Sequence, residues 1–354
     1  MIRFISLWIA LVFSVSNGFS LTKLEGDLNG VGYIVDVPDD PSGNVMFIAR
    51  GFRPEFFPVS AVYEVGTGFY QRMLADGWTI ASSAFRSNDW VVASGAEDII
   101  ALRAFVDAEV HPIRSSILYG ETMGGGVAVW LAENHPELFD GVLCLGAHLF
   151  PEPGTSDSLA GRVSSVFNMK PQLPVVFLAN GEEMQSARVY LEGVNGVSHV
   201  PATYYVERTG HVNVNSSERL AAMRGLLNWM AGERMESVKD GTILMSPGSV
   251  AARGPMVAAA NIRLLRPLYG NIYTTFVASD LEALGIELSD SFQIQHRNQL
   301  HPITYAQAYS DVPYGAWVAF IDPEGYVQVS RNYANAADTL GAEVGDPLIF
   351  LRVD

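Results

Sequence analysis

The sequence predicts a two-part α/β protein: a mainly parallel sheet with helices on both faces, then a smaller C-terminal β-barrel-like domain. Three observations carry this. From Leu24 to about Ala231, short β-rich runs alternate with helical patterns. Beyond Met235 the pattern changes to short strands broken by Gly, Pro and Asn. The length, 354 residues, is about two domains at roughly 150 residues each, and 49% hydrophobic against 17% charged residues excludes a disordered chain.

Residues 1–20 read as an export signal. Met1, Ile2 and Arg3 form a short basic start, Phe4 to Phe13 is an apolar run, and Ser14, Ser16, Asn17, Gly18 and Ser20 follow. The run falls short of the roughly 20 residues of a bilayer-spanning helix. That favours a cleaved signal over a retained anchor or a buried helix. The mature chain is expected to be periplasmic or secreted.

Within residues 21–235, strands are predicted at Val31–Val37, Asn44–Ala49, Trp78–Ser83, Ser115–Gly120, Gly141–Gly146, Pro174–Ala179 and Thr203–Glu207. Runs such as VLCL and VVFLA are apolar at every position, as strands buried on both faces should be. Helical patterns lie between them, in FYQRMLADG, AEDIIALRAFVDAEV, GGVAVWLAENHP and SSERLAAMRGLLNWMAG. This alternation predicts right-handed βαβ units. The first two strands, divided by PDDPSGN, are expected to pair antiparallel. Residues 236–266 read as a poorly patterned connector. Residues 267–354 form the β domain, with strands in NIYTTF, DSFQIQH, GAWVAFID, YVQVSR and PLIFLRV, whose spacing suits a small barrel or sandwich.

The formal charge of −16 repels phosphate backbones and anionic lipid, so neither nucleic acid nor a membrane surface is expected as a partner. The one cysteine, Cys144, excludes an internal disulfide framework. Its apolar setting, GVLCLGA, suggests a buried, inert thiol. No metal-ligand spacing is visible, and no Gly-Lys-Ser/Thr follows the MGGG run. No cofactor and no metal are expected.

The strongest chemical signal is SSILYGETMGGGVAVWLAENHPELFDG. A strand ends at Gly120, a helix begins within four residues, and Gly120-Glu121-Thr122-Met123-Gly124 lies between them. This is the frame of a nucleophile elbow, G-x-S-x-G, with threonine in the serine place. The turn is too sharp for side chains at its flanks, which explains the glycines. The central hydroxyl then stands at a helix N-terminus, where unpaired N–H groups and the dipole favour negative charge. The Met123 N–H is one candidate oxyanion donor, and the Phe52 N–H, just past the strand NVMFIA, is the other. A histidine in a glycine-led loop, Arg208-Thr209-Gly210-His211-Val212, falls between the last strand and the last helix, where the general base belongs. The order nucleophile, acid, histidine also agrees. For the acid, Asn180-Gly181-Glu182-Glu183-Met184 offers Glu183 first and Glu182 second. The third reading makes both a solvated helix start, and Asp140 and Glu152 are remoter alternatives.

On GETMGG, ANGEE and TGHVNV, residues 24–231 resemble the α/β-hydrolase family, particularly its secreted esterase-like members. The resemblance implies a triad of Thr122 as nucleophile, His211 as base and Glu183 as the acid that orients it, with Arg50-Gly51 in the place of a His-Gly pair. Threonine departs from the family. Histidine can activate its hydroxyl, but a β-branched residue at the positive φ of an elbow is an outlier that costs on the order of 1–3 kcal/mol. Two readings stay open: a carboxylic ester hydrolase forming an acyl-enzyme on Thr122, with a small-molecule ester as substrate, and a catalytically impaired domain that binds a small molecule or nucleoside. The residues between His148 and Pro174 suffice only for a short lid.

Residues from about 267 to 352 are similar to a second family, the C-terminal barrel of the S-adenosylmethionine hydrolases and halogenases. PLYGNIYTTF and FIDPEGYVQVSRNYANAADTLGAEVGDPLIF carry the likeness in the family's order. It implies nucleoside contacts at Asn271, Arg331 and Asn332. Gln328 stands where a glutamate is common, and the family's own N-terminal domain is absent. Adenosine chemistry is therefore not expected, and the barrel is expected to serve packing or self-association into a homo-oligomer.

Overall fold

The computed structural model describes residues 9–14, 20–61, 63, 68–149, 166–266 and 269–353. The chain divides into two units. The first is Met1–Arg208 with Ser216–Thr242, and the second is Thr209–Asn215 with Ile243–Asp354. The loop carrying His211 thus groups with the second unit.

The first unit is built on a ten-stranded sheet: β1 (Ile9–Ser14), β2 (Ser20–Leu28), β3 (Val31–Pro38), β4 (Asn44–Ala49), β5 (Thr79–Ser83), β6 (Ser115–Glu121), β7 (Gly141–Leu145), β8 (Val175–Asn180), β9 (Ala202–Val206) and β10 (Val238–Asp240). Their order is β1-β2-β3-β5-β4-β6-β7-β8-β9-β10. All pairs from β5 to β10 are parallel, and β1, β2 and β3 run antiparallel to their neighbours. Among the described residues the α-helices are α1 (Gly68–Ala75), α2 (Val92–Phe105), α3 (Met123–Asn134), α4 (Met184–Gly193) and α5 (Ser216–Met230), with α2 packed on α3 and α1 on α5. Strands β4, β6 and β7 form the centre of the core, where Phe47, Leu118, Val142 and Cys144 are fully buried. Burial pushes the Cys144 thiol far above its ordinary value, which keeps it inert.

One expected pairing is corrected. Strands β3 and β4 do not pair with each other, because β5 lies between them, antiparallel to β3 and parallel to β4. The antiparallel start is instead β2 with β3. Strand β2, SLTKLEGDL, was not expected; its buried residues, Leu21, Leu24 and Leu28, stand three and four residues apart with charged residues between them, neither the strict alternation of a half-buried strand nor the apolar run of an interior one. Strand β1 falls within the residues expected to be an export signal and is the sheet's edge, so its loss would remove no interior strand.

In the second unit, β11 (Ala252–Arg253) flanks a barrel of β12 (Val257–Leu265), β13 (Ile272–Val277), β14 (Ser291–His296), β15 (Gln299–Tyr305), β16 (Trp317–Ile321), β17 (Tyr326–Arg331) and β18 (Pro347–Leu351). The order β12-β13-β17-β16-β15-β14-β18 closes on itself through a β12–β18 pairing. Closure leaves these seven strands no unpaired edge. The stretch 236–266, read as a connector, therefore contributes β12 to the closure. Its alanine-rich run hid the alternation that buries Ala258, Ala260 and Ile262. Phe276 and Phe350 stack across the core at 3.8 Å between ring centroids. The short helices α6 (Ala278–Ala283) and α7 (Ala336–Leu340) complete the unit.

A buried carboxyl in the β16–β17 turn makes barrel stability pH-dependent. Asp322 accepts the Tyr326 N–H at 2.9 Å and the Arg263 guanidinium at 3.2 Å, with 1% of its side chain exposed. Burial outweighs these contacts and pushes its carboxyl up to about 6. A raised folded value means the native state holds the proton more tightly than the unfolded chain. The contribution is therefore full at low pH and lost as pH rises from about 4 to about 6, by up to about 3 kcal/mol. Urea unfolding at pH 4.5 and 7 should show Asp322→Asn without this component. An unchanged difference between the two pH values in the variant would refute it.

Candidate active site

The elbow joins β6 to α3. Thr122 has φ 50° and ψ −116°, a sparsely populated conformation that a β-branched residue holds only when its surroundings impose it. Here they do. The Thr122 N–H donates to Leu145 O at 2.9 Å, and its carbonyl accepts from Gly125 N and His148 N, each at 2.9 Å. The glycines are required by close approach: a Cβ on Gly120 would lie 2.4 Å from Gly124 O, and one on Gly124 would lie 1.9 Å from Ala49 O. The helix crosses the end of the neighbouring strand too closely for any side chain.

The loop after β4 supplies the other wall. The Phe52 N–H donates to Thr122 Oγ1 at 3.3 Å. Gly51 leaves room for that hydroxyl, since a Cβ there would come within 2.4 Å of Oγ1. Met123 opens α3, so its N–H lies outside the helix's own ladder. Arg50 is buried and staples this loop to the one after β5. Its Nε donates to Ala84 O at 2.8 Å, its Nη2 to Ser87 O and Asn88 Oδ1 at 2.9 Å each, and it lies over the Phe85 ring. The sequence marked Arg50 only as a departure from His-Gly; its role as the loop's anchor is visible only in the fold.

Behind the elbow, Glu121 accepts from the fully buried Tyr70 at 3.1 Å and stands 3.9 Å from the Arg219 guanidinium. Burial, with Glu121 beside it, holds the Tyr70 hydroxyl well above its ordinary range. Glu121 occupies the unspecified position of G-x-T-x-G, so no sequence signal distinguished it.

Glu183 closes a one-turn 3₁₀ helix, Gly181–Glu183, at the end of β8, and is half-buried. Glu182 precedes it in the same turn. Asp140, just before β7, lies at the opposite, amino-terminal end of the parallel strands, where it accepts from Ser115 Oγ and Ser116 N at the start of β6. That position rules it out as the acid. Glu152 and most of the expected lid, residues 150–165, lie outside the described residues.

His211 is exposed in the loop between β9 and α5. The loop is tightly braced: Asn213 Nδ2 donates to Thr209 O and Asn215 Nδ2 to Ile243 O, each at 2.7 Å. Val212 has φ 49°, an outlier for a β-branched residue. The loop's stems belong to the first unit, where Arg208 pairs with buried Glu218 at 2.9 and 3.0 Å. Asn180 Nδ2, at the end of β8, donates to Arg208 O. The elbow, the Gly181–Glu183 turn and the stems of the His211 loop are thus all carried at the carboxyl ends of parallel strands, where open α/β sheets place their ligands.

In the barrel, the three expected nucleoside contacts are engaged internally. Asn271 Nδ2 and Gln328 Nε2 both donate to the Tyr309 hydroxyl, at 2.8 and 2.6 Å. Arg331 donates to Gly315 O and Thr339 Oγ1 and lies over the Trp317 ring. Asn332 Nδ2 donates to Val312 O. These groups tie the barrel's turns together. Among the described residues no cluster of three metal-ligating side chains occurs.

Sheet order and elbow together give the first unit the α/β-hydrolase fold. The second unit carries the other similarity: residues 268–349 match the model of the SAM hydroxide adenosyltransferase C-terminal domain. Among solved structures, the chain is similar to dienelactone hydrolase from Anabaena variabilis, at 14% identity over 64% of this chain and 96% of that one, with a TM-score of 0.38. It is also similar to a protein described as a predicted CIB-like hydrolase from Thermoplasma acidophilum, at 15% identity over 60% and 100%, with a TM-score of 0.40. Both likenesses are remote, and the fold assignment rests on the sheet itself. No curated protein matches the chain significantly.

Proposed function

We propose that this protein is a carboxylic ester hydrolase that works through an acyl-enzyme on Thr122, with His211 as general base and Glu183 orienting it. The observation that carries the reading is Thr122 held at positive φ between strand and helix with the Phe52 N–H on its hydroxyl. His211 takes the hydroxyl proton as Thr122 Oγ1 attacks the ester carbonyl. The Phe52 and Met123 N–H groups hold the resulting oxyanion. Collapse breaks the bond to the alcohol oxygen, which leaves with the proton from His211. Water, deprotonated by the same histidine, then releases the acid and frees Thr122.

A fluorophosphonate probe tests this directly. Labelling of the wild type that disappears in Thr122→Ala supports the reading. Absence of labelling in folded wild type refutes it and favours the binding module, for which one observation speaks: the resting hydroxyl already occupies the Phe52 donor that an oxyanion would need. The export signal would deliver either form to the periplasm or outside the cell. For the barrel we infer packing or self-association, because Asn271, Arg331 and Asn332 spend their polar groups inside it. Calorimetric titration with adenosine should give no heat of binding; a response lost in Arg331→Ala would overturn this.

A further inference from the structure

The residue before Thr122 is gripped from outside the elbow. Alternate residues of a strand share a face, so Tyr119 and Glu121 of β6 both turn to the side where α1 supplies Phe69 and Tyr70. Tyr119 is fully buried, its ring 5.2 Å from that of Phe69 and 5.9 Å from that of Tyr70. Glu121 stands where the strand ends. Its carboxylate accepts from the Tyr70 hydroxyl at 3.1 Å and lies 3.9 Å from the guanidinium of Arg219 on α5. Burial, with Glu121 beside it, holds the Tyr70 hydroxyl well above its ordinary range, so at neutral pH it stays the donor.

The helices that carry these partners are themselves braced. At their first turns α1 and α5 approach so closely that a Cβ on Gly68 would lie 3.4 Å from Ser216 Oγ. Glu218, next to Arg219, is fully buried on the Arg208 guanidinium, and the Arg208 carbonyl accepts from Asn180 at the end of β8. Thr122 needs such bracing, because a β-branched residue keeps a φ of 50° only where its surroundings impose it. Leu145, Gly125 and His148 hold its backbone directly. Glu121 ties the preceding residue to the α1–α5 layer by its side chain.

We propose that Glu121 is a positioning residue: gripped by Tyr70 and Arg219, it keeps Thr122 in the conformation that meets the Phe52 N–H. The proposal rests on the ester-hydrolase reading of Thr122. With the grip weakened, part of the population lets Thr122 relax, and turnover scales with the fraction that stays competent. Serine has no β-branch and gains less by relaxing, so the same change costs it less. Glu121→Gln tests this, because it keeps the shape and an acceptor for Tyr70 but removes the charge facing Arg219. On an activated short-chain ester it should lower kcat about tenfold with KM little changed, since substrate still binds while the hydroxyl is misplaced. Fluorophosphonate labelling should slow by the same factor. Tyr70→Phe, which removes only the donor, should give a smaller loss of the same kind. Combined with Thr122→Ser, the cost of Glu121→Gln should shrink to about threefold or less, as coupled neighbours require. A purely structural role would cost the same factor with either residue at position 122. Should Glu121→Gln fail to fold, Tyr70→Phe carries the comparison in both backgrounds. Unchanged kcat in the folded variants, or equal losses in the two backgrounds, overturns the proposal and leaves the Thr122 chemistry standing. A folded wild type that neither hydrolyses ester nor takes the label overturns the ester-hydrolase reading and this proposal with it.

Discussion

Thr122→Ala should abolish turnover of activated short-chain esters, with kcat falling on the order of 10⁴-fold or more, as when a triad nucleophile is removed. His211→Ala should cost a similar factor, and the double variant little beyond either, because the two act as a unit. Thr122→Ser should move the other way. It removes the β-branch from a residue at φ 50°, relieving on the order of 1–3 kcal/mol of strain, and it uncrowds the tetrahedral intermediate. Strain common to the resting enzyme and the transition state is read in stability and not in rate; the expected gain in kcat comes from the uncrowded intermediate, about tenfold for each 1.4 kcal/mol it is spared. Steady-state kinetics on these variants give the answer. Equal rates in the wild type and both alanine variants would sink the mechanism, whereas an inert wild type rescued by Thr122→Ser would identify a decayed site.

Gly124→Ala should be the most damaging single methyl in the first unit. Its Cβ would stand 1.9 Å from Ala49 O and 2.6 Å from Arg50 O. Both are backbone atoms at the end of a central strand, so relief requires moving β4 or α3. The loss should reach about 3 kcal/mol or more, as severe overpacking does. Gly126→Ala is the control. It lies in the same helix, but its Cβ would meet nothing nearer than 3.5 Å, and replacing a helical glycine gains up to about 1 kcal/mol. Chemical denaturation of the pair should therefore show opposite signs; two equal losses would show that the close approach is not what selects glycine here.

That contrast also separates the three glycines of the Gly124–Gly126 run. Gly124 and Gly125 are there because Ala49 and Ala147 press against them, and Gly126 is not required by contact. Local sequence showed that glycine was needed but not which neighbour demanded it.

The elements with the strongest local signals were legible in the sequence. Interior strands such as β7 and β8 are apolar at nearly every position because both faces are buried, and the elbow's glycines sit at a fixed spacing because a strand-to-helix turn demands it. From these alone followed the α/β fold, the candidate nucleophile and the change to a β domain. Tertiary structure decided what depends on residues far apart in the chain. The insertion of β5 between β3 and β4, the closure of the barrel by alanine-rich β12, and the Arg50 staple to Ala84, Ser87 and Asn88 have no periodic trace. Backbone pairing and charge balance are properties of neighbours in space, and a linear pattern records only neighbours along the chain.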